Sequence, residues 1–204
     1  MRIDRDFMMR LAAAAAAETL PRFRMASLVS DNKHEQGFDP VTEADREAER
    51  AIRALIREAF PGHGIVGEEF GTENGDSRHL WVVDPVDGTR SFISGVPLWG
   101  TLVGLLDGGR AVAGMMSQPF TGELFYADAT GTHYDGPGGA RRLGVRPTRV
   151  LAEATLFTTT PALFPGTKRA AYDRVEREVR LARYGADCYA YAMLASGTVD
   201  LVVE

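Results

Sequence analysis

Apolar positions recur at helical period twice near the start of the chain. Ile3, Phe7, Leu11 and Ala14 mark one face of a helix predicted over about Asp4 to Leu20 and closed by Pro21. A polar loop or hairpin is expected over Asp31 to Pro40. Behind it Ala44, Ala48, Ile52, Leu55/Ile56 and Ala59 repeat the period. Thr42 and Asp45 have capping-box spacing with Asp in the Glu place, so a second helix is predicted over about Glu43 to Phe60, stopped by Pro61-Gly62.

The pattern then turns to strands. Ile65-Val66-Gly67 is a short apolar segment ending on Glu68-Glu69, expected as a neighbouring strand or hairpin arm beside Leu80 to Val83. Leu80 to Val83 reads as a buried strand ending on Asp84, after which Pro85 forces a turn. Thr101 to Leu106 and Ala111 to Met116 are joined by the hairpin signal Asp107-Gly108-Gly109-Arg110, and Glu123 to Ala127 completes an antiparallel meander. Gly131 to Gly139 is loop by composition, with a polar arm around Arg141 to Val145. From about Pro147 strand and helix alternate: Ala154 to Thr159, a helix over Lys168 to Arg180, Leu181 to Tyr184, a helix over Asp187 to Ala195, then Val199 to Val203. Tyr189 and Tyr191 are expected in the core. The fold class is α/β, with an α+β domain over 1–145 followed by an α/β domain over 146–204.

Composition narrows the function classes. A formal net charge of −5 argues against a general nucleic-acid binder. A single cysteine, Cys188, excludes an intramolecular disulfide and a thiolate zinc cluster, and makes the cytoplasm the default compartment. His34, His63, His79 and His133 lack short ligand spacing, so a metal here would be held by oxygen and be Mg²⁺-like. The alanine-rich start is broken by Asp4, Asp6 and Glu18, which suits a helix rather than a signal peptide. No stretch approaches membrane-spanning length, and no membrane partner is expected.

The chemistry concentrates in Asp84-Pro85-Val86-Asp87-Gly88-Thr89. An EF-hand register counted from Asp84 fails, because Val86 and Gly88 fall where acids are needed. Metal sharing fits better than an aspartyl nucleophile, whose acids would stand two apart on one strand. Two-metal phosphate hydrolysis needs carboxylates that hold two divalent ions near each other; Glu68, Asp84 and Asp87 supply them, and the Val86 carbonyl adds an oxygen. A polar relay from Asp45 to Thr89 would orient the water or take up its proton, and the Gly88 and Thr89 amides would hold phosphoryl oxygens. Taken alone, Asp45 reads as a cap satisfying the start of its helix; its context, a helix N-terminus that can hold an active-site carboxylate in place, is what raises the other reading.

Gly67-Glu68-Glu69, Asp84 to Thr89 with Phe92 after it, and Asp39-Pro40-Val41-Thr42-Glu43-Ala44-Asp45 together resemble the inositol monophosphatase superfamily of Mg²⁺-dependent phosphatases. The resemblance implies a layered αβαβα sandwich and a homodimer. It implies that Glu68, Asp84 and the Val86 carbonyl hold the activating metal, that Asp84 and Asp87 hold a second, and that Glu69 contacts a third. It makes Thr89 and Asp45 the water-activating pair and puts Lys33 near the family's loop lysine. Ser117 to Glu123, Arg183 to Tyr191 and Asp200 to Glu204 look like the histidinol-phosphatase branch. That branch implies Asp187 and Glu204 as contacts to the substrate's non-phosphate end, where added carboxylates favour a cationic amine or imidazole over a neutral polyol. Gln118 is a further candidate, and Asp187 reads equally as an N-cap.

In the family the chain runs on past the position of Glu204 to another metal-binding aspartate, so the C-terminal part is expected to be incomplete and the second metal weakened. The expected activity is hydrolysis of L-histidinol phosphate, a step of histidine biosynthesis. Inositol-1-monophosphatase or another sugar-alcohol phosphatase is the enzymatic alternative, and an inactive metal- and phosphate-binding module the alternative of another class.

Overall fold

The computed structural model describes residues 3–26, 30–32 and 40–204, so Lys33 lies outside the described residues. The chain divides into two compact units, Met1–Arg141 and Arg142–Glu204.

In the first unit, α1 (Arg5–Thr19) begins at Asp4, whose carboxylate accepts the Phe7 N–H at 3.2 Å. Its buried face is Phe7, Met8, Leu11, Ala15 and Thr19. Ala14, expected inward, is only partly covered, because steps of four from Phe7 fall on Leu11, Ala15 and Thr19. Strand β1 (Ser30–Asn32) pairs antiparallel with β2 (Pro40–Thr42), which runs straight into α2 (Glu43–Ala59). The expected capping box is present: Thr42 Oγ1 accepts from the Ala44 N–H at 3.1 Å, and the Asp45 carboxylate accepts from the Thr42 N–H at 2.9 Å.

Strands β3 (Gly64–Gly67), β4 (Gly71–Glu73) and β5 (His79–Asp87) follow, then the short helix α3 (Thr89–Ile93). After it come β6 (Gly100–Asp107), β7 (Arg110–Gln118), β8 (Glu123–Asp128), β9 (Gly131–Asp135) and β10 (Arg141–Arg142). They form one eight-stranded sheet in the order β10-β9-β8-β7-β6-β5-β3-β4. β3 is parallel to β5 and the meander from β5 to β9 is antiparallel. Asp107 pairs with Arg110, leaving Gly108 and Gly109 as a two-residue turn with φ of 56° and 82° that suits glycine.

Two expectations are corrected in this unit. Gly131 to Gly139 is not all loop, because Thr132, His133 and Tyr134 pair with Ala127, Tyr126 and Phe125. Pro85 does not turn the chain out of the sheet either: β5 continues to Asp87. Its register against β6 shifts between Asp84↔Leu102 and Asp87↔Gly100, and this irregularity absorbs the proline, which has no N–H to pair.

α1 and α2 cover one face of the sheet. Phe7, Met8, Leu11 and Ala15 from one helix and Ala48, Ile52 and Ile56 from the other pack with Ile65, Trp81, Val83, Val103, Leu105, Met115, Leu124 and Tyr126. A second cluster, Phe23, Ala44, Val86, Phe92 and Trp99, lies under the bulge and α3.

In the second unit, β11 (Thr155–Thr158) is followed by α4 (Thr167–Glu178), β12 (Leu181–Tyr184), α5 (Asp187–Ala195) and β13 (Leu201–Val202). β11 is the middle strand and is parallel to both neighbours. Leu156, Phe164 and Tyr172 form its core. α5 turns Cys188, Ala190 and Ala192 inward and leaves Tyr191 51% exposed, so that tyrosine is not core. Small side chains let the helix sit close, and the bulky ring goes outside.

Asp200 ties this unit together. Its carboxylate accepts the Thr155 N–H at 2.6 Å and pairs with the Arg146 guanidinium. The Arg146 hydrogen bond first, with further bonds from Thr148 and Thr155, holds the Asp200 carboxyl far below the usual carboxylate range. A carboxyl depressed by folding stabilises the fold above its unfolded pKa and loses that contribution as pH falls toward its folded value. Asp200→Asn is expected to cost about 2 kcal/mol near neutral pH. The gap in melting temperature between parent and variant should then close as pH drops below about 4. Thermal melts across acidic buffers check this.

Candidate active site

The end of β5 gathers the acids. Glu68 follows directly on β3, and its N–H donates to the Val83 carbonyl at 3.1 Å. Gly67 pairs with Val83, so Glu68 and Asp84 leave adjacent parallel strands side by side. The two side chains share a hydrogen bond, and the charges of Asp87 and Asp45 also reach Asp84. Burial first, then Glu68, then Asp87 and Asp45, push the Asp84 carboxyl well above the usual carboxylate range. Asp84 Oδ1 is buried and takes no hydrogen bond.

The rest of the segment is set by the bulge. The Val86 carbonyl accepts from Thr89 Oγ1 at 3.0 Å, and the Pro85 carbonyl accepts from Thr101 Oγ1 at 2.8 Å. Gly88, at φ 83°, turns the chain from β5 into α3, which starts with no side-chain cap. Asp45 is buried at the start of α2, where it also accepts from Thr42 Oγ1 at 2.6 Å. Its capping role is therefore present, together with its electrostatic reach to Asp84. The Thr89 hydroxyl spends its proton on Val86 rather than on Asp45.

Glu68, Asp84, Asp87 and the Val86 carbonyl fit a hard divalent cation in donor chemistry: all are oxygens, one is an orphaned buried oxygen, and the carboxylates repel one another without positive charge. Among the described residues, no three His, Cys, Asp or Glu side chains stand as a closed ligand set. That accords with Asp84 and Glu68 sharing a hydrogen bond, which needs a proton on one of them. A cation would take that proton's place.

Gln118, a candidate from the sequence, is a scaffold residue. Fully buried, it donates to the Pro97 and Trp99 carbonyls at 3.0 and 2.9 Å and accepts from the Phe120 and Thr121 N–H groups.

In the second unit, Asp187 and Glu204 meet at Thr159. Thr159 Oγ1 lies 3.4 Å from Asp187 Oδ1 and 3.1 Å from Glu204 Oε1, and its N–H donates to Glu204 at 2.7 Å. Ala186 occupies the N-cap position of α5, and Asp187 is the first helical residue, at φ 44°. That left-handed geometry is unusual for a non-glycine residue.

Sequence reading missed Glu49 and Arg53. Both are buried in α2 and joined at 2.7 Å. Their i,i+4 spacing on the stripe that also carries Asp45, Ile52 and Ile56 was the available signal.

The model of the inositol monophosphatase family matches residues 4–204. Over 170 residues the chain is 42% identical to a chloroplastic bifunctional phosphatase of Arabidopsis thaliana, covering 82% of this chain and 48% of the plant protein. It is 34% identical over 207 residues to a histidinol-phosphatase of Chlorobaculum parvum, covering 98% of this chain and 76% of that one. The solved structure of an inositol monophosphatase from Zymomonas mobilis superposes with a TM-score of 0.83 at 39% identity, covering 98% of this chain and 75% of that one. The chain thus spans about half the length of the plant relative and about three quarters of the two bacterial ones.

Proposed function

This chain belongs to the inositol monophosphatase family, and on that footing we propose that it hydrolyses a phosphate monoester at the end of β5 with the help of Mg²⁺. The observation that carries this reading is Asp84: a half-buried side chain whose Oδ1 is buried and orphaned, bonded to Glu68 and crowded by two further acids. Such a cluster is relieved by a divalent cation.

In this reading Glu68, Asp84 and the Val86 carbonyl would hold one ion, and Asp84 and Asp87 would hold a second. Bound ions supply Lewis acidity toward the phosphoryl oxygens and make nearby water easier to deprotonate. Thr89 Oγ1, with its own proton given to the Val86 carbonyl, offers lone pairs that orient the attacking water. The Asp45 carboxylate, held by Thr42, is the proton's destination. The Gly88 and Thr89 amides steady the phosphoryl oxygens. As the water oxygen bonds to phosphorus its proton passes to Asp45, the ester P–O bond breaks, and the leaving alkoxide oxygen takes a proton from solvent water, Asp45 returning its own proton to solvent.

The substrate proposed is L-histidinol phosphate. The Asp187–Glu204 pair around Thr159 supports it, since paired carboxylates favour an ammonium or imidazolium group. The name of the Chlorobaculum relative points the same way. The Zymomonas structure, an inositol monophosphatase, supports the second reading. Phosphate release measured across histidinol phosphate, inositol 1-phosphate and a bisphosphorylated nucleotide decides. Highest kcat/KM on histidinol phosphate is expected; preference for inositol phosphate overturns the substrate, and release from none of them leaves a binding module.

A further inference from the structure

The loop that carries Glu68 is held from beneath by a buried ion pair, and we infer that Glu49 and Arg53 are positioning residues that place Glu68 for cation binding. The inference rests on Glu68 being a ligand, as proposed above. Glu49 is fully buried and Arg53 nearly so. Glu49 Oε2 accepts from the Glu69 N–H at 2.7 Å and Oε1 from the Phe70 N–H at 3.3 Å. Arg53 donates to the Gly71 carbonyl and, at 3.3 Å, to Glu73, which also binds Arg57. With the Glu68 N–H on the Val83 carbonyl, each amide from Glu68 to Phe70 has a fixed acceptor.

Gly67 is cut to this fit. A Cβ there would stand 1.8 Å from Glu49 Oε1, so the strand end closes directly on the carboxylate. A buried ion pair is a weak source of net stability, because desolvating two charges offsets their attraction. What the Glu49–Arg53 pair supplies is register. It clamps the backbone just after Glu68 and packs against Gly67 just before it, while leaving the Glu68 side chain at the surface beside Asp84.

The test uses two double variants of the whole chain. Glu49→Leu with Arg53→Met removes one charge of each sign, so a change in cation affinity reports geometry rather than field. Its residues are good helix formers, and no buried charge is stranded. Glu49→Gln with Arg53→Met is equally neutral but keeps one acceptor for the loop amides. Amide hydrogen exchange without metal and calorimetric titration with Mg²⁺ are read for both. The leucine variant is expected to lose protection at Glu69 and Phe70 and to bind Mg²⁺ roughly 10-fold or more weakly, with the glutamine variant recovering part of both. A folded leucine variant that keeps the parent's Mg²⁺ affinity overturns the inference. Should the parent itself take up no Mg²⁺, the ligand reading of Glu68 fails on its own, and unchanged amide protection in the leucine variant separately refutes the clamp.

Discussion

Asp84→Asn is expected to lower kcat by roughly 10³-fold or more while leaving the chain folded and at least as heat-stable as the parent. The two halves of this expectation have one cause. Asp84 is the acid that the proposed ions share, so its loss weakens both. It is also the most crowded acid of the described cluster, raised by burial and by Glu68, Asp87 and Asp45. Asparagine keeps the shape and cannot ionise, which relieves the crowding of acids in the metal-free fold. Its backbone partner Leu102 is unaffected. Steady-state kinetics and a thermal melt in chelator check the pair of effects. Activity within about tenfold of the parent would mean that Asp84 is not a ligand of the ions that the reaction uses.

Trp81→Ala should be the costliest substitution for stability. The side chain is fully buried at the centre of the helix-covered core, against the rings of Phe7 at 5.8 Å and Phe60 at 5.7 Å. Its Nε1 donates to His63 Nδ1 at 3.0 Å. Burial, then the neighbouring His79, lower the His63 pKa, which keeps that nitrogen available as an acceptor. Truncation leaves a cavity and an unpaired imidazole, and should cost about 3–5 kcal/mol. The melting temperature should fall by roughly 10 °C or more. Trp81→Phe, which keeps most of the volume, should cost clearly less. A melt shifted by under about 3 °C would mean that α1 and α2 are not anchored through this ring.

Much of this arrangement was legible from residue order because its causes are local. The Thr42/Asp45 box and the apolar period behind it define α2, and the glycine pair at 108 and 109 defines the hairpin of β6 and β7. The acids of the site could be named because Asp84, Asp87 and Glu68 stand at the ends of apolar runs. Non-local compensation was what escaped. Pro85 was expected to turn the chain, but pairing on both sides of the bulge keeps β5 in the sheet. Gly131 was weighed as a loop residue, whereas the partner strand β8 decides its neighbours' conformation. Glu49 and Arg53 went unremarked, because their role depends on the chain from Gly67 to Gly71 closing over them. Asp187, expected as a cap or a substrate contact, stands at φ 44° and meets Thr159, a partner 28 residues away.

The end of β5, as proposed, is a divalent-cation phosphatase centre. It is tested most directly by phosphate release from the best substrate of the panel, using chelator-stripped protein over rising Mg²⁺. The expected result is no release in excess chelator, saturable release as Mg²⁺ is added, and release at least roughly 10³-fold slower from Asp84→Asn even at saturating Mg²⁺. Release at the same rate in excess chelator would contradict it.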